Sequence, residues 1–179
     1  MKRLFGYIIV FNLLFGNITY AKLSKEVLDY QIKETVQQFI RQTTGGEEFL
    51  KKLPGYLVFP NIYKAGFMIG GEYGEGGMVI GGKVVEYYSM ISASIGFQMG
   101  AQRRSMIIAF LAPSMLDSFR RSQKWKVGID GSITVVDWGK TIDLSTVDFK
   151  KPIVAFVFDN EGLMAGISID GAIFTRIQK

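Results

Sequence analysis

No cysteine and no histidine occurs among the 179 residues. Their absence removes a Ser-His-Asp triad, a thiol nucleophile, any disulfide and a zinc site built from the usual nitrogen and sulfur ligands. It also removes a lipid-modified cysteine. Proline is scarce, at four, and neither sign of charge dominates: 21 Lys+Arg stand against 16 Asp+Glu, a formal +5. So mild an excess points to an anionic surface such as lipid headgroups; no nucleic-acid partner and no cofactor or metal is expected. What is present, 48% apolar residues, 13% aromatics and 21 glycines, excludes a disordered chain and describes a folded, sheet-rich one. A length of 179 residues fits one domain.

The one long apolar run stands at the start. Met1-Lys2-Arg3 is a short basic segment, and residues 4–16 are apolar apart from Asn12 and small residues. Asn17-Ile18-Thr19-Tyr20-Ala21 then supplies a polar stretch with Ala21 at a cleavage position. This is the build of a secretory signal peptide, too short for a comfortable membrane span. The expected division is therefore a signal peptide at 1–21 and a single domain at 22–179. Export to the periplasm or the outer-membrane surface, or secretion, follows from it.

Residues 23–41 carry a helical pattern. Ile32, Val36, Phe39 and Ile40 recur at i, i+4, i+7 and i+8, while Lys25, Glu26, Asp29, Lys33, Glu34 and Gln37 cover the other faces. Thr43-Thr44-Gly45-Gly46 breaks the helix, and a short second one over 47–52 ends at Pro54-Gly55. From Gly55 the period changes to two. Residues 56–59 and 64–70 read as strands, Tyr73-Gly74-Glu75-Gly76-Gly77 as a glycine-rich turn, and Met78 as the start of the return strand. Strict alternation over 91–100 predicts a half-buried strand, and the continuously apolar 105–111 another. Pro113-Ser114-x-x-Asp117 opens a helix over about 114–123. Alternation resumes over 127–135, and 153–158 with 163–169 form a final hairpin across Asp159-Asn160-Glu161-Gly162. Glycines Gly66, Gly70, Gly71, Gly74 and Gly76 lie within or beside strands, where they cost stability unless the backbone must bend or approach closely, so they are expected to be architectural, allowing bends and positive φ in a tight sheet. The fold class expected is α+β: an N-terminal helical segment on a curved, mainly antiparallel sheet or small barrel, with one further helix.

Candidate chemical motifs fail. Gly77-x-x-x-x-Gly82-Lys83-Val84 nearly spells a P-loop, but Val84 replaces the magnesium-ligating hydroxyl and a strand, not a helix, follows. Glu72 with Glu75, and Asp159 with Glu161, read as solvated turn acids rather than catalytic pairs. No positioned nucleophile and base can be named, so no enzyme is expected.

The ordered run Gly55-Tyr56-Leu57-Val58-Phe59-Pro60-Asn61-Ile62-Tyr63-Lys64-Ala65-Gly66-Phe67-Met68-Ile69-Gly70-Gly71-Glu72-Tyr73-Gly74-Glu75-Gly76 resembles the hallmark segment of the SYLF domain family. The resemblance continues through Ile95-Gly96-Phe97-Gln98-Met99-Gly100-Ala101-Gln102, then Lys126-Val127-Gly128-Ile129-Asp130-Gly131-Ser132, then 162–171. It implies binding of phosphoinositides and other acidic lipids, with actin binding in eukaryotic members; the signal peptide resembles that of secreted bacterial members.

Lys64, Arg103, Arg104, Arg120, Arg121, Lys124 and Lys126 form a loose basic set near strand ends and one helix terminus. Together with the resemblance they are the candidate lipid-binding residues, and an anionic membrane lipid is the expected partner. The alternative is a structural or protein-interaction module of the envelope, a homo-oligomer or an actin-type filament binder.

Overall fold

The computed structural model describes residues 23–137, 142–144, 152–161 and 169–179, with backbone alone at 65–69, 94–101, 137, 142–143 and 159–161. The expected signal peptide at 1–21 and the expected strand at 163–168 lie outside the described residues. Helix α1 spans Lys25–Gln42, with Ser24 as N-cap accepting a hydrogen bond from the Val27 amide. Strand β1 (Thr43–Thr44) and helix α2 (Gly46–Lys52) follow, joined at Gly45, whose φ of +75° is the left-handed conformation glycine tolerates. Then comes one very long hairpin, β2 (Gly55–Ile80) and β3 (Lys83–Phe110). Helix α3 (Pro113–Arg121) leads to β4 (Lys124–Lys126), β5 (Thr134–Asp137), β6 (Ile142–Asp143), β7 (Ile153–Glu161) and β8 (Ile173–Ile177).

The main sheet runs β4-β8-β3-β7-β5, with β2 on the other edge of β3; β7 and β8 take different stretches of the same β3 strand. All its pairs are antiparallel except β5 with β7, and β1 with β6 makes a separate parallel pair. This is the expected α+β architecture, an N-terminal helix packed on a curled half-barrel.

At about 3.3 Å per residue a straight β2 would run for about 85 Å, far beyond a domain of this size. It doubles over instead. Register shifts at Phe59/Ile62, Phe67/Ile69 and Met78/Val79 bend the ladder, and the two halves of β2 cross where Gly76 meets Val58 and Gly74 meets Ile62. The expected turn at residues 73–77 is therefore corrected: those glycines are strand residues at a crossing. The real turn is Gly81-Gly82, both at positive φ (+57° and +77°), as a two-residue hairpin turn of the primed kind requires.

Two further expectations change. The alternating run 127–135 is not one strand, because Gly128 adopts φ +87° and the Asp130 carboxylate accepts the Lys126 amide at 2.7 Å, turning the chain before β5. Asp159-Asn160-Glu161 belong to β7 rather than to a turn, the ladder carrying Glu161 opposite Arg103.

Both faces of the central strands are buried, which explains their continuous apolar runs. Leu57, Phe59, Met106, Ile108, Phe110, Ile153, Ala155 and Val157 point into one core with Leu116, Phe119, Trp125 and Phe174. Their neighbours Tyr56, Val58, Ile107, Ala109, Val154 and Phe156 point to the other face, under Leu28, Ile32 and Phe39 of α1.

Candidate functional site

The seven candidate cations fall into three environments. Lys64 and Arg104 turn inward: both pair with Glu72, at 3.4 Å from Lys64 Nζ to Oε1 and 2.5 Å from Arg104 Nη2 to Oε2. The Glu72 side chain is only 2% exposed and that of Arg104 only 8%. Glu72 and Glu75 are thus not solvated acids, as expected, but buried partners. Glu75 accepts from the Tyr73 hydroxyl at 2.9 Å and from Lys179 Nζ, which also donates to the Leu23 carbonyl at 2.6 Å and so ties β2 to the entrance of α1. The carboxylates sit in strand segments that the doubled hairpin covers, so each must be met by a cation.

Arg103 is exposed at the rim between α1 and β2. Its Nη1 donates to Asn61 Oδ1 at 3.1 Å, and Asn61 Nδ2 in turn donates to Gln31 Oε1 at 3.2 Å.

The third group converges. Helix α3 ends in Arg120-Arg121, Ser122-Gln123 follow, and edge strand β4 places Lys124 and Lys126 outward on either side of the buried Trp125. Strand β8 pairs with β4, Thr175 opposite Lys124, and brings Arg176 under the helix end. Arg176 is a member that sequence reading missed. It is a single cation in the apolar stretch Ile173–Ile177, and only the pairing of β8 with both β4 and β3 reveals its place.

Glu86 organises the cluster from β3. Arg120 donates to it twice, from Nε at 3.1 Å and Nη2 at 3.0 Å; Arg176 Nη2 donates at 3.0 Å and the Tyr88 hydroxyl at 2.7 Å. Arg176 Nη2 also donates to the Arg120 carbonyl, satisfying an orphan acceptor at the C-terminus of α3. Burial raises the Glu86 pKa, but hydrogen bonds from Arg120 and Tyr88 and the charge of both arginines outweigh it and hold the carboxyl below its ordinary 4.5. Burial and the bond to Glu86 push Tyr88 up to about 12. The hydrogen bond to Glu86 raises Arg120, which stays a cation throughout.

Among the described residues, five cations, Arg120, Arg121, Lys124, Lys126 and Arg176, therefore stand there with the acids Glu86, Asp117 and Asp130. Arg121, Lys124 and Lys126 are exposed, while Arg120 and Arg176 are about a third exposed and locked in place by Glu86. Such a surface can accept phosphate or carboxylate oxygens from several directions.

Removing the organising carboxylate has a signed consequence. A depressed carboxyl pKa contributes stability that is present above the ordinary 4.5 and is lost as pH falls through the lower folded value. Glu86→Gln is expected to cost about 2 kcal/mol at neutral pH, since bonds to charged groups are worth about 1.5–3 kcal/mol. Its unfolding curve should merge with that of the wild type at acid pH below the ordinary carboxylate range. Urea titrations at neutral and acid pH check this; a gap that persists unchanged into acid would contradict it.

Residues 91–179 match the family model Ysc84, described as Las17-binding protein actin regulator. The match takes in most of β3 and everything after it, including the α3–β4–β8 cluster; the hallmark-like segment 55–76 lies before it. No curated protein matches the chain.

Proposed function

From the premise that the chain belongs to the Ysc84 (SYLF) domain family, a family associated with lipid and actin binding, we propose that it is a non-enzymatic binder of anionic lipid. In this reading it works at an envelope membrane surface, exported by the signal-like segment at 1–21. The observation that carries the reading is the convergence of Arg121, Lys124 and Lys126 around an edge strand, with Arg120 and Arg176 held beneath them by Glu86. The headgroup is phosphoinositide-like or that of another acidic phospholipid. Lys64 and Arg104 contribute through the fold, because Glu72 occupies both.

A cation near an anionic bilayer is worth about 1 kcal/mol. Reversing Arg121, Lys124 and Lys126 to Glu should therefore weaken binding to phosphatidylglycerol-containing vesicles by several kcal/mol. The fold should hold, since exposed charges seldom contribute more than about 1 kcal/mol to it. The effect should shrink with added salt as the Debye length contracts from about 10 Å at 0.1 M. Vesicle co-sedimentation at two salt concentrations, with circular dichroism as folding control, makes the comparison. A folded triple variant that binds as the wild type does would refute the assignment of this surface. Indifference of the wild type to lipid, together with co-sedimentation with actin filaments or self-association, would favour a protein-interaction module instead.

A further inference from the structure

We propose that the groove between α1, α2 and the β2–β3 turn holds a single acyl chain of an anionic amphiphile, with Lys33 at its mouth meeting the head. The inference takes its ligand class from the lipid reading above but uses none of the residues of the α3–β4–β8 surface.

Two hollows of about 350 and 340 Å³ share Val36, Tyr56, Val79 and Gly82, so they adjoin across these four residues along the groove. Each hollow alone lies in the range of about 300–1,000 Å³ in which ligand sites fall. The walls are Val36, Ile40, Leu50, Leu53, Tyr56 and Val79. Glycines shape both ends of it. At Gly77 a Cβ would stand 2.6 Å from Ile32 Cδ1, so the missing side chain lets the middle of α1 press onto the hairpin. Farther along, Gly45 turns α2 away from α1, and nothing lies within 4 Å of where a Cβ would stand at Gly81 or Gly82, which leaves the hairpin end uncovered.

The charges around the groove are unequal. At the α2 end Lys51 is neutralised by Glu47 at 2.7 Å. At the α1 end Asp29 is engaged by Lys25 at 2.8 Å and by the Tyr87 hydroxyl at 2.7 Å. Lys33, on the same rim, has no ion pair among the described residues. An apolar channel of limited length with one unneutralised ammonium at one end matches an alkyl chain ending in a carboxylate or a phosphate, rather than a neutral oil or a flat peptide.

The test is calorimetric titration of the full chain with alkyl carboxylates and alkyl phosphates of increasing length, below their micelle concentrations. Affinity should rise roughly fourfold per methylene, then level off once the groove is filled, at one chain per protein. The two head series distinguish a fatty acid from a phospholipid-type head. Val36→Trp, on the partly exposed side of α1, should cut affinity at least about tenfold, and Leu53→Trp gives a second obstruction should the first not fold. Lys33→Glu should weaken the anionic chains severalfold and leave the matching alkyl alcohol unchanged. Affinity that climbs without a plateau, binding of many chains per protein, or a folded Val36→Trp and Leu53→Trp that bind normally would overturn the inference. So would a wild-type dimer abolished by Val36→Trp, which would make a second copy the occupant. The Glu-reversed α3–β4–β8 variant should keep chain binding while losing vesicles. Vesicle binding without chain binding sinks the groove alone, and chain binding without vesicle binding sinks the surface assignment alone.

Discussion

Gly76→Ala is expected to lower the thermal midpoint steeply, whereas Gly71→Ala, five residues earlier on the same strand, should leave it unchanged. At Gly76 a Cβ would stand 2.3 Å from the Val58 carbonyl oxygen and 2.7 Å from Phe59 Cδ1. Neither neighbour can yield: the first is ladder backbone and the second a fully buried ring packed on Phe174 at 5.7 Å between centroids. Overpacking by a methyl typically costs about 1–3 kcal/mol when side chains can adjust, and more where backbone must shift. A cost above about 3 kcal/mol is expected here, a large part of a stability that is itself about 5–15 kcal/mol. At Gly71 the nearest atom to a Cβ is the Ser92 carbonyl oxygen at 3.8 Å, an ordinary contact. Gly74 falls between them, with Ile62 Cγ1 at 2.9 Å and the Asn61 oxygen at 3.0 Å. The ranking 76, then 74, then 71 is read by thermal unfolding followed by circular dichroism. Equal midpoints for all three alanine variants would show that the hairpin does not cross itself there.

That crossing also marks the limit of what the sequence revealed. The glycines were expected to be architectural, and Gly74 and Gly76 are, but through contact rather than through positive φ. A tight turn and a close strand crossing draw on the same small residues, so composition alone could not separate them. The periodic segments were readable because burial enforces period. The helix over 23–41 and the runs 105–111 and 153–158 stand nearly where the pattern placed them. The cation site was half readable. Arg120, Arg121, Lys124 and Lys126 cluster in sequence and in space, but Arg176 joins them only through the pairing of β8 between β3 and β4. Lys64 and Arg104 were grouped with them because a strand-end cation looks solvated until its carboxylate partner is found. Glu72 lies eight residues from Lys64 in β2 and thirty-two from Arg104, and only the doubled hairpin brings the three together.

Glu72→Gln should therefore be a folding lesion and not a binding lesion. It keeps the volume of the side chain and removes the charge that faces two cations, one 8% and the other 13% exposed. Breaking one side of a buried pair costs about 3–5 kcal/mol, because the remaining charge is left desolvated without its counterion. Replacing a buried pair by apolar groups of similar size is often close to neutral, so Glu72→Leu with Arg104→Met should recover the part of the loss that comes from Arg104, while Lys64, 13% exposed, still lacks its carboxylate. The double-mutant cycle over Glu72→Leu, Arg104→Met and their combination, read by urea unfolding, should show a coupling of a few kcal/mol; additive effects would refute the pairing. The folded double variant then separates structure from surface. Arg104 is covered, so its loss should leave vesicle binding per folded molecule intact, while reversal of the exposed Arg121, Lys124 and Lys126 abolishes it. Weakened vesicle binding by a stable Glu72→Leu/Arg104→Met protein would instead mean that the guanidinium reaches lipid, and that the hairpin opens at the membrane to let it do so.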